Sequence, residues 1–190
     1  MPIWPCFVHN TKRFAPLLVS GLLLFSTAGF AASEMQELAA TMQNADFSVQ
    51  VERLLRNGRA PQALELAEIG IQRNPRNAQL VFQKAVALET MERTEEAAKV
   101  LRSLIADYPE IPEPYNNLAV IEAGLGNLEA SVALLQKALV INPEFALARK
   151  NLGDVYLALA VENYQAAQPA LPNNRVLAQR LRSLERILGK

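Results

Sequence analysis

Beyond residue 9 the 190-residue sequence contains no cysteine, histidine or tryptophan, since Cys6, His9 and Trp4 are the single representatives of their types. Removal of the segment that carries them leaves a chain with no disulfide, no thiolate nucleophile, no histidine-based triad and no zinc site of ordinary ligand type. Glycine is scarce too, with eight residues, and aromatics make up only 6%. The apolar half of the composition leans on Ala and Leu, which favours helices over sheets because these side chains lose little entropy on a helix. Charge of one sign is not in excess: 19 basic residues face 19 acidic ones. That argues against a nucleic-acid partner held by a large positive field. A phosphate-cradling G-x-x-x-x-G-K loop is also absent. The expectation is a non-enzyme with no cofactor and no metal.

Lys12 and Arg13 precede an uncharged stretch from Phe14 to Ser33, and Leu17 to Phe25 within it is almost wholly apolar. This is the layout of a secretory signal. Gly29-Phe30-Ala31 ahead of Ala32 places small side chains one and three residues upstream of a cut, so residues 1–31 are expected to be removed. The other reading is an uncleaved anchor, although Pro16, Gly21, Ser26, Thr27 and Gly29 make a poor one. On either reading the helical domain is expected outside the cytoplasm, in the periplasm or anchored in the inner membrane. Contact with the membrane is expected only if the segment is retained. Cys6 lies before the apolar run and is not placed like a lipoprotein cysteine. Cleavage leaves 19 − 2 = 17 basic residues against 19 acidic ones, a formal charge of about −2.

Pro75, Pro109 and Pro143 organise the rest, because they stand 34 residues apart (109 − 75 and 143 − 109). Aligned on them, the chain divides into units 44–77, 78–111 and 112–145, each readable as two helices. The first helix of a unit needs a bulky residue and then a small one four places on, and the pairs are Phe47/Val51, Val81/Ala85 and Tyr115/Ala119. The second helix needs a small residue near its start, supplied by Ala63, Ala97 and Ser131, with Ala67, Leu101 and Leu135 at its later core position. Turns read Asn57-Gly58-Arg59, Glu92-Arg93-Thr94 and Gly126-Asn127, where glycine permits positive φ and Thr or Asn can cap the next helix. Only the middle turn lacks glycine.

The run Tyr115-Asn116-Asn117-Leu118-Ala119, then Gly126-Asn127, then Ala138-Leu139 and Asn142-Pro143, resembles the tetratricopeptide repeat family, of an exported bacterial type. The resemblance covers about 44–173 and implies an all-α fold: a short right-handed superhelix of helix-turn-helix repeats closed by a carboxy-terminal capping helix. Lys84 departs from the pattern at a normally apolar place, where its stem can pack while its ammonium reaches water. A fourth unit, 146–173, opens well with Asn151-Leu152-Gly153-Asp154-Val155-Tyr156, but no turn signal interrupts Tyr156 to Gln168, and Pro172 comes only 172 − 143 = 29 residues after Pro143. One fused helix from about Phe145 to Gln168 is expected, ended by Pro169 and Pro172. Residues 174–190 then form the cap, with Leu177, Leu181, Leu184 and Leu188 on one stripe. Residues 32–43 are expected to hold a lead-in helix over 34–43.

The resemblance implies a concave face lined by first helices. Projected onto it are Ser48, Glu52 and Leu55; Phe82, Val86 and Glu89; Asn116, Val120 and Ala123; and Leu147, Lys150, Asp154 and Leu157. Phe82, Val86, Val120 and Leu147 read as a partly apolar floor, with Glu52, Glu89, Asn116, Lys150 and Asp154 as polar edges, a mixture suited to a protein or peptide partner. Alanine at Phe82 and Val120 is expected to weaken binding without unfolding the domain. Coverage of these residues by the terminal helices or by a second copy is the competing reading. Some family members grip terminal carboxylates through a Lys/Asn clamp, but Phe82 and Val86 stand where it needs Lys and Asn.

Glu95-Glu96 suits a helix start, Glu110 and Glu113 sit in a proline-stiffened turn, and neither reads as a catalytic pair. The arginines of 174–190 read first as a solvated face, and otherwise as a contact for anionic lipid or an acidic partner. The leading expectation is therefore a non-catalytic scaffold in a bacterial envelope. A structural homo-oligomer using the same apolar face is the alternative, and a membrane-tethered accessory subunit of an envelope complex is another. The bacterial setting follows from the family's common habitat and from no residue.

Overall fold

The computed structural model describes residues 27–189, with side chains from residue 34 onward. The export segment read from residues 1–31 lies outside the described residues up to position 26. Among the described residues there are nine α-helices and no strand: α1 (Thr27–Thr41), α2 (Asp46–Arg56), α3 (Ala60–Arg73), α4 (Ala78–Thr90), α5 (Thr94–Asp107), α6 (Pro112–Gly124), α7 (Leu128–Ile141), α8 (Ala146–Ala167) and α9 (Arg175–Ile187). None of those helices is long and apolar enough to cross a membrane.

The proline period becomes a helix period. α4, α6 and α8 start at residues 78, 112 and 146, and α3, α5 and α7 at 60, 94 and 128, every step being 34 residues. Each helix packs on the next along the series from α2 to α8, and α2 also touches α4 as α6 touches α8. Small residues make these approaches possible. Ala63, Ala97 and Ser131 are fully buried near the starts of the second helices, and the Ser131 hydroxyl donates to the Ala119 carbonyl at 2.7 Å across the crossing of α6 and α7. Ala67, Leu101 and Leu135 are equally inaccessible deeper in the seam. No single hairpin could bury these residues alone, so stacking supplies the core.

The turns show what glycine contributes. Gly58 and Gly126 hold φ of 71° and 84°, in the left-handed region where a Cβ is costly, and Glu92 is held at φ 59° in the equivalent place of the middle unit. The capping expectation is corrected. Thr94 is already the first residue of α5, behind Arg93, whose guanidinium bonds the Glu96 carboxylate at 2.7 and 2.8 Å. Asn127 stands at the N-cap of α7 without capping it, because its side-chain amide is committed to Glu122 at 2.8 Å. Side-chain caps occur instead at Asn77, which accepts from the Leu80 amide at 3.1 Å, and at Asn174, which accepts from Leu177 at 3.0 Å.

α8 runs unbroken for 22 residues, as the missing turn signal predicts, and passes into a 3-10 turn at Gln168–Ala170 that includes Pro169. α9 folds back on it. Leu177 and Leu181 are buried, Leu184 and Leu188 half-buried, against Val161 at 2% exposure. At the other end α1 begins before the expected cleavage point and stops two residues short of Gln43. It packs on α3 with Met35 and Ala39 buried, and Glu34 pairs with Arg59 at 3.1 Å. The stem of Lys84 packs as expected, and its ammonium pairs with Glu68 of α3 at 2.8 Å.

Candidate functional site

The first helices of successive units, α2, α4, α6 and α8, carry the residues read as a groove. Two side-chain amides tie these helices together. Gln83, completely buried, donates through Nε2 to the Ser48 carbonyl at 2.9 Å, joining α4 to α2. Asn151 donates through Nδ2 to Asn116 Oδ1 at 2.9 Å, joining α8 to α6, while Asn116 Nδ2 donates to Asn117 Oδ1 at 3.2 Å. A buried amide left without its partner costs about 1–3 kcal/mol, so these links fix the register of neighbouring first helices.

Measured against that frame, the groove residues fall into three groups. Phe82 is 6% exposed within the main core, and Asn116 is 2% exposed within the amide link. Truncating Phe82 therefore tests stability before it tests binding, which corrects the expectation attached to that residue. Glu52, Val86, Glu89 and Leu147 are half-buried, with Glu52 3.8 Å from Arg56 one turn on. Val120 is 39% exposed, and Lys150 and Asp154 are exposed and bonded to each other along α8. Ser48, Leu55, Ala123 and Leu157 are half-buried as well. The accessible strip is thus centred on Val120, flanked by Val86 and Leu147.

Behind α6 lies a polar cluster that sequence reasoning missed. Glu122, 9% exposed, accepts from Asn127 Nδ2 at 2.8 Å and pairs with Arg102 of α5 at 2.7 Å. These bonds hold its carboxyl below the usual carboxylate range, the Asn127 bond contributing most and the Arg102 bond next. Because the folded value is the lower one, the stabilisation is complete above the unfolded chain's carboxylate pKa and is lost as pH falls through the folded value. Glu122→Gln is expected to cost about 1 kcal/mol near neutrality, and the difference from the unmutated protein should vanish in acid. Parallel urea titrations down a pH series check this, and a difference that persists in acid would show the carboxylate charge to be irrelevant.

Among the described residues no cluster of three or more Cys, His, Asp or Glu could hold a metal ion. The arrangement instead offers a curved strip of small and apolar side chains with hydrogen-bonding edges, which can hold a chain segment and has no group poised for proton transfer or attack.

A family model described as the tetratricopeptide repeat matches residues 49–112 and 82–144. Protein FlbA of Caulobacter vibrioides is 28% identical over 102 residues, which are 50% of this chain but 17% of FlbA, so the chain spans a small part of that relative's length. Two solved structures share the fold. The first tetratricopeptide domain of Spaghetti (RPAP3), bound to the HSP90 peptide SRMEEVD, is 18% identical with a TM-score of 0.57 over 62% of this chain and 93% of that one. A tetratricopeptide repeat protein from Parabacteroides merdae is 17% identical with a TM-score of 0.57 over 86% and 66%.

Proposed function

The chain belongs to the tetratricopeptide repeat family, whose fold is a non-catalytic interaction module, and from that premise we propose that it is a scaffold that binds a peptide or helix of a protein partner along its first-helix face. The observation that carries the reading is Val120, which is 39% exposed between Val86 and Leu147 on helices locked in register by buried amides. A surface fixed in this way loses little entropy when a segment docks, so modest apolar burial suffices for specific binding. The HSP90 peptide held by the RPAP3 domain illustrates a ligand of this kind. An acidic carboxy-terminal tail is not the ligand proposed for this chain, because Phe82 is buried and Val86 is apolar where a carboxylate needs cations. The cationic, then uncharged, run from Lys12 to Ser33 supports the further proposal that the scaffold works in a bacterial envelope, facing the periplasm.

A photo-crosslinking residue at position 120, with one at the 75%-exposed Val140 of α7 as control, tests both parts in the native host. Adducts at 120 and not at 140, recovered on release of the periplasm, are expected. Equal labelling at the two positions would remove the groove, and adducts confined to the cytosol would remove export. An adduct of twice the chain mass would turn the face over to self-association. With the partner in hand, Val120→Asp should weaken binding by about tenfold at unchanged Tm.

A further inference from the structure

We propose that α9 and the second half of α8 form a second docking surface, for an acidic amphipathic helix of a partner protein. It uses none of the first-helix residues named above. α9 packs on α8, and its buried residues Leu177 and Leu181 meet Val161 in a small seam that belongs to neither of the two larger core clusters. The opposite side of α9 has an ordered chemistry. At about 100° per residue, Arg175, Arg182 and Arg186 share one narrow stripe; Val176, Ser183 and Ile187 share the next; and Arg180 lies beyond them. All seven are exposed, Val176 at 58% and Ile187 at 66%.

The surface is concave where α9 meets α8, with a depression of about 420 Å³ lined by Tyr164, Val176, Gln179, Arg180, Ser183 and Leu184. Arg180 reaches the Tyr164 hydroxyl at 3.4 Å, which holds the guanidinium at the rim. Among the described residues, none of the α9 arginines is in an ion pair with a carboxylate; the acidic residue of the helix, Glu185, instead accepts from Gln165 at 3.3 Å. Four arginines against one glutamate give α9 a formal charge of +3.

These features select the occupant. A second copy of the same helix would set like charges face to face, so self-pairing is disfavoured. A flat lipid surface would gain the charge but leave the depression unfilled. An amphipathic helix with apolar residues on one side and carboxylates on both flanks fits: its apolar side covers Val176, Leu184 and Ile187, while its carboxylates reach Arg180 at one edge and Arg175 and Arg186 at the other.

The probe is a labelled, helix-stapled peptide with leucine on one face and glutamate on both flanks, titrated into the full-length protein. A twin with lysine in place of glutamate, and vesicles of phosphatidylglycerol, run beside it. The glutamate peptide is expected to bind and the lysine twin not, with affinity falling about tenfold in the double variant Arg175→Glu/Arg186→Glu and again on raising the salt. Arg180→Glu should do the same, while Val120→Asp should leave this binding untouched, which separates the surface from the first-helix face. Unchanged affinity in both charge-reversed proteins, with helicity intact by circular dichroism, overturns the proposal. So does vesicle binding that is lost on charge reversal when the peptide does not bind.

Discussion

Truncating Leu135 to alanine should lower the free energy of unfolding by about 2–5 kcal/mol, the range for deleting a buried leucine where surrounding atoms cannot collapse. Leu135 is completely buried, in a cluster that draws Tyr115 and Ala119 from α6, Ala138 from α7 itself, and Ala148 and Val155 from α8. α7 is thus wedged between two rigid helices, and neither can close the gap without leaving its other neighbour. Against a total stability of about 5–15 kcal/mol the loss is large. It should also be local. A stack of this kind is held by contacts between adjacent units, so hydrogen exchange should speed up across α6, α7 and α8 while α2 and α3 keep most of their protection. A cost below about 1 kcal/mol would mean that the seam is loose. Uniform loss of protection would mean that the stack melts as one unit.

The parts of this fold that the sequence discloses are those repeated at a fixed interval. Pro75, Pro109 and Pro143 set the unit length, and Ala63, Ala97 and Ser131 mark where helices cross, because close approach demands a small side chain wherever it recurs. The fused α8 was legible for the converse reason, a turn signal absent where the period requires one. The candidate groove was legible only in part. Phe82 occupies a position equivalent to Val120 minus one unit plus four, yet it is buried while Val120 is open. A first helix in a stack is flanked by its own partner and by first helices of adjoining units, so the local chemistry of each neighbour decides exposure, and periodicity alone cannot see it. The cluster of Arg102, Glu122 and Asn127 was hidden for a similar reason, since its ion pair joins residues 20 apart on helices of different units. The capping error has the same root: Asn127 has a helix start to cap, but a buried carboxylate within reach outcompetes it.

Gly70 carries the other large effect, and its position in α3 gives no hint of this, since a glycine inside a helix costs about 1 kcal/mol relative to alanine. A Cβ built there would stand 2.8 Å from Leu80 Cδ1, 2.8 Å from Phe47 Cδ1 and 3.0 Å from Phe47 Cγ. Leu80 can turn its terminal methyl aside. Phe47 has less room, because it is fully buried on α2 and its ring lies under the Arg73 guanidinium, 5.1 Å from the ring centroid. The overpacking penalty of about 1–3 kcal/mol should therefore exceed the gain in helix propensity. Gly70→Ala is expected to lose about 1 kcal/mol net and Gly70→Val about 3 kcal/mol, measured by urea unfolding. Phe47→Leu, harmful alone, should recover part of the loss when combined with Gly70→Ala, because the two changes share one contact and their costs will not add. A Gly70→Ala protein more stable than its parent would place α3 farther from α2 and α4 than the geometry has it. The joint that the glycine permits, among two helices of one unit and the first helix of the next, would then have to be held by something other than close approach.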